Sequence, residues 1–253
     1  MAGTFSNFDS AVSALGAQLK HSGYPVMPKR WQSMDVQDRP EARMREVAFV
    51  SFRVPVASSL AALRADIRPN LPWADRHFLE ERASGEPINP GTTWKIWPWA
   101  SSADRFRTEG EQYSHSYAER YWPKKVHSQV GIRYAVGDLS DVVTQLAEDP
   151  LTRQAYLPVF FPEDTGAVHK QRVPCSIGYH FLHRAEWLHV HYMLRSCDFT
   201  RHLRDDLYLT ARLLLWVLDR LREKDPYWKD VSPGMMEVNI SSLHTFENDW
   251  RAL

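Results

Sequence analysis

Cysteine is scarce in this sequence, and it has neither an excess of one charge nor a long apolar run. Two cysteines, Cys175 and Cys197, cannot build a disulfide framework, so we expect a reducing, cytoplasmic setting. Acidic and basic residues balance at 31 each, which removes the electrostatic basis for direct nucleic-acid binding. No apolar run has membrane length and the N-terminus has no signal-peptide pattern, so we expect no membrane association.

Hydrophobic residues make up 43% of the chain, which is enough for a substantial core. The mixture of periodicities predicts a single α+β domain over residues 1–253, with a mixed or antiparallel sheet packed with helices. Helical spacing predicts helices at 8–21, 57–67, 72–83, 111–122, 138–148 and 207–223. Alternating patterns predict strands at 46–56, 155–161 and 238–240, and the polar or proline-rich stretches 22–42 and 87–99 predict loops.

A hairpin near the C-terminal end brings two reactive groups together. Residues 176–182 and 188–194 both alternate with period two, with Ile177 expected on the same face as Tyr179, and residues 184–186 form the turn. If the hairpin pivots on Ala185, Cys175 lies beside Arg195. This pairing would place a nucleophile next to a cation able to bind phosphate. A buried core cysteine and a surface arginine are the alternative interpretation.

Metal binding and a glycine-rich phosphate loop find little support. His189 and His191 share a strand face, but no carboxylate or cysteine stands at a spacing that completes a zinc site. The sequence therefore predicts no metal.

The hairpin is followed and preceded by further motifs in a fixed order. They are 195–198 (Arg-Ser-Cys-Asp), 203–206 (Leu-Arg-Asp-Asp), 241–244 (Ser-Ser-Leu-His), 149–154 (Asp-Pro-Leu-Thr-Arg-Gln), 96–100 (Ile-Trp-Pro-Trp-Ala) and 113–117 (Tyr-Ser-His-Ser-Tyr). With Cys175, this set resembles the active-site motifs of the thymidylate synthase superfamily. It is most similar to the cytidylate 5-hydroxymethylase branch, known from bacteriophages and nucleoside-antibiotic pathways. The spacing of 20 residues from Cys175 to Arg195 matches the family without a gap.

The resemblance implies the thymidylate synthase fold and a folate-dependent reaction on a pyrimidine nucleoside monophosphate. Carbon 5 of a pyrimidine becomes nucleophilic once a thiolate adds to carbon 6, and Cys175 is the expected thiolate. Methylenetetrahydrofolate would be the one-carbon donor. Water would complete a hydroxymethylation, whereas hydride transfer from the folate would complete a thymidylate synthesis. Tyr117 matches the family tyrosine near the nucleophile.

The same resemblance assigns the substrate and folate contacts. Arg195 and Ser196 match phosphate-binding residues, and His244 matches the histidine that contacts the sugar. Arg153 matches an arginine that reaches the phosphate of the neighbouring subunit, so we expect a homodimer with Arg153 supplied in trans. A solvated surface charge is the alternative for Arg153. Folate contacts are expected from Asp198, Trp97 and Trp99, whose alternatives are a turn aspartate and core aromatics.

Asp206 carries the expectation about the base. Thymidylate synthases have asparagine at the matching position, whereas a carboxylate can accept from the cytosine amino group and, when protonated, supply a proton to the ring. Aspartate here therefore resembles the cytidylate hydroxymethylases. Two alternatives are that Asp205 fills this position or that Asp206 only caps the following helix.

The expected general acid/base is a glutamate on the helix at 72–83. Ala74, His77, Phe78 and Glu81 fall on one face at α-helical spacing, so Glu81 should point inward with a raised pKa. Glu80 and Asp75 are the other candidates.

These residues predict folate-dependent 5-hydroxymethylation of CMP or dCMP, in the host cytoplasm if the gene is a phage gene. A thymidylate synthase or dUMP hydroxymethylase is one alternative. A catalytically inactive nucleotide-binding homologue is another.

Overall fold

The computed structural model describes residues 2–31, 34–104, 107–108, 111–122, 138–165 and 172–250. Within them the helices are α1 (Phe8–Ser22), α2 (Leu60–Ile67), α3 (Trp73–His77), α4 (Ala100–Asp104), α5 (Tyr117–Tyr121), α6 (Leu139–Glu148) and α7 (Leu203–Lys224). The strands are β1 (Ala2–Thr4), β2 (Tyr24–Val26), β3 (Arg30–Trp31), β4 (Met34–Asp35), β5 (Met44–Pro55), β6 (Tyr156–Pro158), β7 (Ser176–Arg184), β8 (Trp187–Leu194), β9 (Cys197–Asp198) and β10 (Ser232–Phe246). No helix in this described part of the chain is both long and apolar enough to cross a bilayer.

The main sheet has the strand order β1-β5-β10-β8-β7-β6, with β2 added beside β5 and β9 beside β10. Strand β10 is antiparallel to β5 but parallel to β8, and β7 is antiparallel to both β8 and β6, so the sheet is mixed. Helix α7 is apolar on most of its surface and packs against β8 and β10. The buried residues join into one hydrophobic core. The predicted α+β class with a mixed sheet is confirmed.

Strand β10 is longer than the local sequence pattern predicted. The sequence predicted only 238–240 as strand, whereas the strand runs from Ser232 to Phe246. Pro233, Gly234 and Asn239 have low strand propensity, but pairing with β5 on one side and β8 on the other holds the whole segment extended. Tertiary pairing therefore overrides local propensity in this strand.

Other boundaries also differ from the prediction. Strands β2, β3 and β4 occupy the segment 22–42 predicted as loop, and β6 is shorter than 155–161. Only Tyr117–Tyr121 of the segment 111–122 is helical, and α2 begins at Leu60 rather than at 57. The helix predicted at 72–83 is α-helical only to His77 and continues as a π-helical turn over Phe78–Arg82.

The hairpin of β7 and β8 contains a β-bulge that matters for the site. Arg184 pairs with Trp187 across a two-residue turn in which Ala185 has a positive φ of 52°. The register then shifts by one residue between Ser176 and Gly178. Ile177 lies in this bulge and is 36% exposed, so the expectation that it shares the face of buried Tyr179 was wrong. The shift places Ser176 opposite Leu194 and so brings Cys175 level with Arg195.

Candidate active site

A cavity of about 520 Å³ opens where β8, β9 and β10 end beside the start of α7. Its volume is in the range of sites that hold small organic ligands, about 300–1,000 Å³. Eight of the eleven site residues expected from the sequence line it, namely Trp97, Tyr117, Cys175, Arg195, Ser196, Asp198, Asp206 and His244. The cavity therefore gathers side chains from segments that are far apart in the sequence. Glu81, Trp99 and Arg153 are not among its lining residues.

Cys175 and Arg195 lie side by side, as the hairpin pattern predicted. The Arg195 amide donates to the Cys175 carbonyl oxygen at 2.9 Å. The Arg195 guanidinium donates to the carbonyl oxygens of Pro174 (2.8 Å) and Val173 (3.0 Å), and its Nη2 lies 3.9 Å from the Cys175 sulfur. Backbone contacts thus fix the guanidinium beside the thiol, so a positive charge lies within reach of the sulfur.

The cavity contains a second cysteine with a different environment. Cys197 is buried, and burial followed by the nearby charge of Asp206 raises the pKa of its thiol well above the usual range. Its sulfur lies 4.0 Å from Asp206 Oδ2. Cys175 is only partly buried. Of the two thiols, Cys175 is therefore the one suited to react as a thiolate.

The two neighbouring aspartates at the start of α7 have separate roles. Asp205 is buried and accepts from the Asn70 amide N–H and side-chain Nδ2, both at 2.8 Å, and from Trp97 Nε1 at 3.4 Å. These contacts occupy its carboxylate. Both aspartates line the cavity, and the Asp206 carboxyl group lies there beside Cys197. The helix cap is His202, without a side-chain hydrogen bond, so Asp206 does not act as the cap.

Burial raises the pKa of Asp206 to about 7, with Arg82 opposing the shift and Asp205 adding to it. Because the pKa is raised to about 7, the carboxyl group is largely protonated below pH 7 and largely ionised above it. Near neutral pH this group can therefore both accept a hydrogen bond and release a proton.

Tyr117 belongs to a chain of hydroxyl groups beneath Cys175. Its hydroxyl lies 2.9 Å from Ser176 Oγ, which in turn lies 2.7 Å from the Tyr192 hydroxyl. Burial, followed by the charge of Asp206, raises the pKa of Tyr117 and of Tyr192, so both remain protonated at neutral pH. This chain holds Tyr117 at the cavity wall as a hydroxyl donor or acceptor.

Glu81 lies behind the cavity wall. It is buried and accepts from the Thr93 amide at 2.9 Å and from the Thr93 hydroxyl, and its Oε2 lies 2.9 Å from His77 Nδ1. Burial alone would raise the pKa of this carboxyl, but the contacts with His77 and Thr93 outweigh it, and the pKa is lowered. The expected raised pKa was therefore wrong. Gly91 packs against the carboxylate so closely that a Cβ there would lie 1.7 Å from Glu81 Cδ.

Arg82 is one of the cavity residues that the sequence analysis did not assign. It lies four residues after Phe78, on the edge of the inward face, at the end of the π-helical turn over Phe78–Arg82. The side chain is buried, lines the cavity and places its Cζ 4.2 Å from the centre of the Tyr117 ring. The spacing of four residues from Phe78 was a signal for this arginine, but a cation was not expected at a buried position.

The aromatic wall differs in part from the expectation. Trp97 lines the cavity, with its ring 4.8 Å from the His202 ring. Trp73 and Trp94, which the sequence analysis did not assign, line it as well, and their ring centres are 5.3 Å apart. Trp99, which is not a lining residue, packs against Arg201, with its ring centre 5.2 Å from the guanidinium carbon. The wall is thus a tryptophan cluster built around Trp97.

Asp198 combines a structural contact with a position at the cavity. Its Oδ1 accepts from the amides of Thr200 and Arg201, both at 3.0 Å, which is the turn role considered as the alternative. Burial raises the pKa of this carboxyl to about 6, with the Arg201 contacts opposing the shift. The residue also lines the cavity. The turn contacts leave Oδ2, which lies 3.8 Å from Arg201 Nε, as the oxygen with capacity for a ligand.

Ser196 and His244 lie together on the wall next to Arg195. Ser196 Oγ is 3.5 Å from His244 Nδ1, and burial lowers the pKa of His244 to about 4, so the imidazole is neutral at pH 7. Glu46, on the paired strand β5, faces the cavity beside them and accepts from the Ser242 hydroxyl. This part of the wall therefore offers hydrogen-bond acceptors to a hydroxylated ligand, namely neutral His244 and Ser196 and the carboxylate of Glu46.

Arg153 is exposed and lies before β6. Its carbonyl oxygen is 3.1 Å from His180 Nε2. This position is outside the protein's own cavity.

The strand histidines make contacts within the protein. His189 Nδ1 accepts from the Met235 amide at 3.0 Å, and His191 Nε2 lies 2.6 Å from Asn239 Oδ1. Among the described residues, no group of three or more His, Cys, Asp or Glu side chains is arranged to hold a metal ion.

Comparison with known proteins identifies the architecture. The model superposes on thermostable thymidylate synthase A from Bacillus subtilis with a TM-score of 0.67 and 14% identity, covering 97% of this chain and 83% of that one. The chain has the thymidylate synthase fold. This confirms the fold expected from the motifs. At such identity the likeness establishes the fold alone.

Sequence comparison gives partial matches. The chain is 29% identical over 115 residues to a Methanosarcina mazei protein named "Putative thymidylate synthase", covering 46% of this chain and 48% of that protein. It is 28% identical over 139 residues to a Methanosarcina acetivorans protein of the same name, covering 55% of each. The chain thus spans about half the length of the curated relatives it matches. No family model matches the chain.

Proposed function

We propose that the protein is a folate-dependent transferase that hydroxymethylates carbon 5 of a cytidine monophosphate. The observation that carries the proposal is that the two adjacent aspartates at the start of α7 make different contacts. Both line the cavity that also holds Cys175, but the Asp205 carboxylate is occupied by Asn70 and Trp97, whereas Asp206 Oδ2 lies 4.0 Å from the Cys197 sulfur. A carboxyl group with a pKa of about 7 suits cytosine, which offers an amino donor and a ring nitrogen that can take a proton.

The phosphate would bind at Arg195 and Ser196. The Arg195 Nε and Nη2 groups already donate to Pro174 and Val173, which fixes the guanidinium plane and leaves further N–H groups for a ligand. Ser196 Oγ lies next to neutral His244, which would contact the sugar. Because Arg195 is also 3.9 Å from the Cys175 sulfur, it would orient the nucleotide and favour the thiolate together.

Cys175 would then add to carbon 6 of the base. The sulfur–carbon bond forms with the thiolate electron pair, and the electrons of the double bond between carbons 5 and 6 move toward carbon 4 and nitrogen 3. Protonated Asp206 would deliver its proton to nitrogen 3, which neutralises the developing charge and leaves carbon 5 as an enamine-like nucleophile. Tyr117 would stabilise the adduct as a hydroxyl partner held by Ser176.

Methylenetetrahydrofolate would supply the one-carbon unit. The residues present suit a flat, partly polar ring system, because Trp73, Trp94 and Trp97 give an aromatic wall and Asp198 gives a carboxylate at the same cavity. Trp99 would support this wall through Arg201. Water would be the last nucleophile and would give the hydroxymethyl group. A cytoplasmic location belongs to the proposal, since both cysteines are free thiols.

A substrate panel tests the proposal directly. The protein is incubated with methylenetetrahydrofolate and CMP, dCMP or dUMP, and products are identified by mass spectrometry while dihydrofolate is followed by absorbance. We expect a hydroxymethylated cytidylate without dihydrofolate, since no hydride leaves the folate. Dihydrofolate formed with dUMP would instead identify a thymidylate synthase, the activity named for the Methanosarcina relatives.

The proposal includes a homodimer in which Arg153 serves the partner's site. Arg153 is exposed and outside its own cavity. Strands of the main sheet also expose large apolar side chains, including Phe49 (79%) and Trp187 (41%), as an interface between two sheets would require.

A mixing experiment tests this arrangement. We expect Cys175→Ala and Arg153→Ala each to be inactive or strongly impaired alone. When they are co-refolded, each heterodimer contains one site with both native residues, so random pairing should restore about a quarter of wild-type activity. Activity that stays at the sum of the two separate variants would show that Arg153 does not act in trans.

A further inference from the structure

Arg82 is an arginine whose side chain is buried at the cavity wall. Arg82 is only 3% exposed, and its guanidinium carbon lies 4.2 Å from the centre of the Tyr117 ring. Nη1 donates to the Tyr121 hydroxyl at 3.3 Å. A buried cation is costly unless its surroundings compensate for lost water, so its position at the cavity calls for a function.

A buried pair of residues supports Arg82 from behind. Arg82 Nε donates to His77 Nε2 at 3.1 Å, and His77 Nδ1 lies 2.9 Å from Glu81 Oε2. Because Arg82 has only donors, His77 Nε2 must accept, which leaves the His77 proton on Nδ1 facing Glu81. Burial lowers the pKa of His77, so the imidazole stays neutral and adds no charge of its own next to Arg82. Glu81 is therefore linked to Arg82 through His77.

Arg82 shares the cavity with Asp206. Both line the same space, and their charges stabilise each other. Other titratable or charged groups around Asp206 come from α5, β8, β9, α7 and the segment before β7; they are Tyr117, Tyr192, Cys197, Asp198, Asp205 and Arg172. Among the cations acting on Asp206, Arg82 has the largest influence.

We propose that Arg82, which is held by the buried His77–Glu81 pair, is a positioning residue. Its positive charge acts on Asp206, the residue that recognises the base and donates a proton to it. The base-reading part rests on the proposed function, but the coupling between Arg82 and Asp206 does not. Without Arg82, burial and the neighbouring acidic groups would keep Asp206 protonated to higher pH. The carboxyl group would then hold its proton too tightly to share it with nitrogen 3 near neutral pH.

The coupling can be measured without any substrate. The carboxyl carbon of Asp206 is followed by NMR in aspartate-labelled full-length protein across pH 5–9, with its signal assigned by its loss in Asp206→Asn. We expect Arg82→Met to move the titration midpoint upward by about one pH unit or more. Arg82→Lys, which keeps the charge, should return the midpoint toward the wild-type value.

Arg212→Met is the matched control. Arg212 is similarly buried and lies 4.5 Å over the Phe78 ring, but it pairs with Asp75 away from the cavity. We expect its removal to leave the Asp206 midpoint unchanged. If Arg82→Met does not fold, Arg82→Gln replaces it, because a neutral amide retains hydrogen bonding. An unchanged midpoint in the folded neutral variant overturns the proposal.

Activity assays separate this proposal from the proposed function. With a cytidylate substrate, the limb of the kcat/KM profile near pH 7 should move upward in Arg82→Met by the same amount as the NMR midpoint. If the midpoint moves but no cytidylate is turned over by wild type, the coupling holds and the proposed function fails. If wild type is active and the midpoint does not move, the coupling fails alone.

Discussion

Cys175→Ala is expected to abolish turnover and the release of tritium from carbon 5 of labelled CMP or dCMP. Without a thiolate to add to carbon 6, carbon 5 never becomes nucleophilic, and its hydrogen cannot leave as a proton. The substitution removes one sulfur atom at a partly buried position, so the fold and the Arg195 contacts with Pro174 and Val173 should persist. Nucleotide binding measured by calorimetry should therefore remain while tritium release falls to background.

Cys197→Ala is the matched control, because Cys197 lines the same cavity. Burial keeps Cys197 as a thiol, and its sulfur points to Asp206 rather than to Arg195. We expect this variant to keep most of its tritium release. Release that survives in Cys175→Ala and disappears in Cys197→Ala would reverse the assignment. No release from wild type, with nucleotide still bound, would indicate an inactive nucleotide-binding homologue.

The hairpin shows why part of the site could be predicted from the sequence. Alternation located both strands, and counting across the turn placed Cys175 beside Arg195. The exact pairing, however, depends on the bulge at Ile177, which shifts the register by one residue. Without it, the turn between Arg184 and Trp187 would place Ser196 opposite Cys175. The prediction took Ala185 as the pivot, whereas the real turn is centred between Ala185 and Glu186, and the bulge makes up this difference of one residue.

The segment around Glu81 shows why other parts could not be predicted. Regular α-helical spacing correctly placed Glu81 and His77 inside the protein, but it did not show that the segment ends in a π-helical turn or that Arg82 lines the cavity. Nor did it show that Thr93 and His77 occupy the Glu81 carboxylate and lower its pKa. The Thr93 contact depends on a chain segment that meets Glu81 only in three dimensions. Trp73 and Trp94 were missed for the same reason.

In the proposed reaction, the fold itself does not decide which pyrimidine is modified. A thymidylate synthase and a cytidylate hydroxymethylase can share the sheet, the nucleophile and the phosphate site, so the choice of base has to come from individual side chains. Asp206 is the side chain whose chemistry differs most from the asparagine of thymidylate synthases. In our proposal its proton affinity also depends on Arg82.

Asp206→Asn is expected to reverse the base preference. The amide can accept from nitrogen 3 of uracil and donate to its 4-oxygen, but it cannot give a proton to nitrogen 3 of cytosine. We expect kcat/KM with CMP and dCMP to fall about 100-fold or more, because a general acid is lost. Activity or binding with dUMP should rise relative to wild type. The pH-dependent limb near pH 7 should also vanish from any remaining cytidylate activity, because the titrating group is gone.

Asp205→Asn provides the matched comparison one residue away. Asp205 holds Asn70 and Trp97 and is nearly fully buried, so its amide variant should lower thermal stability and leave the base preference unchanged. A base preference that changes in Asp205→Asn but not in Asp206→Asn would mean that Asp205, which also lines the cavity, is the residue that reads the base. The two isosteric changes thus distinguish a residue that recognises the base from one that supports the cavity wall. Only the residue that exchanges a proton with the base can alter both the base preference and the pH profile.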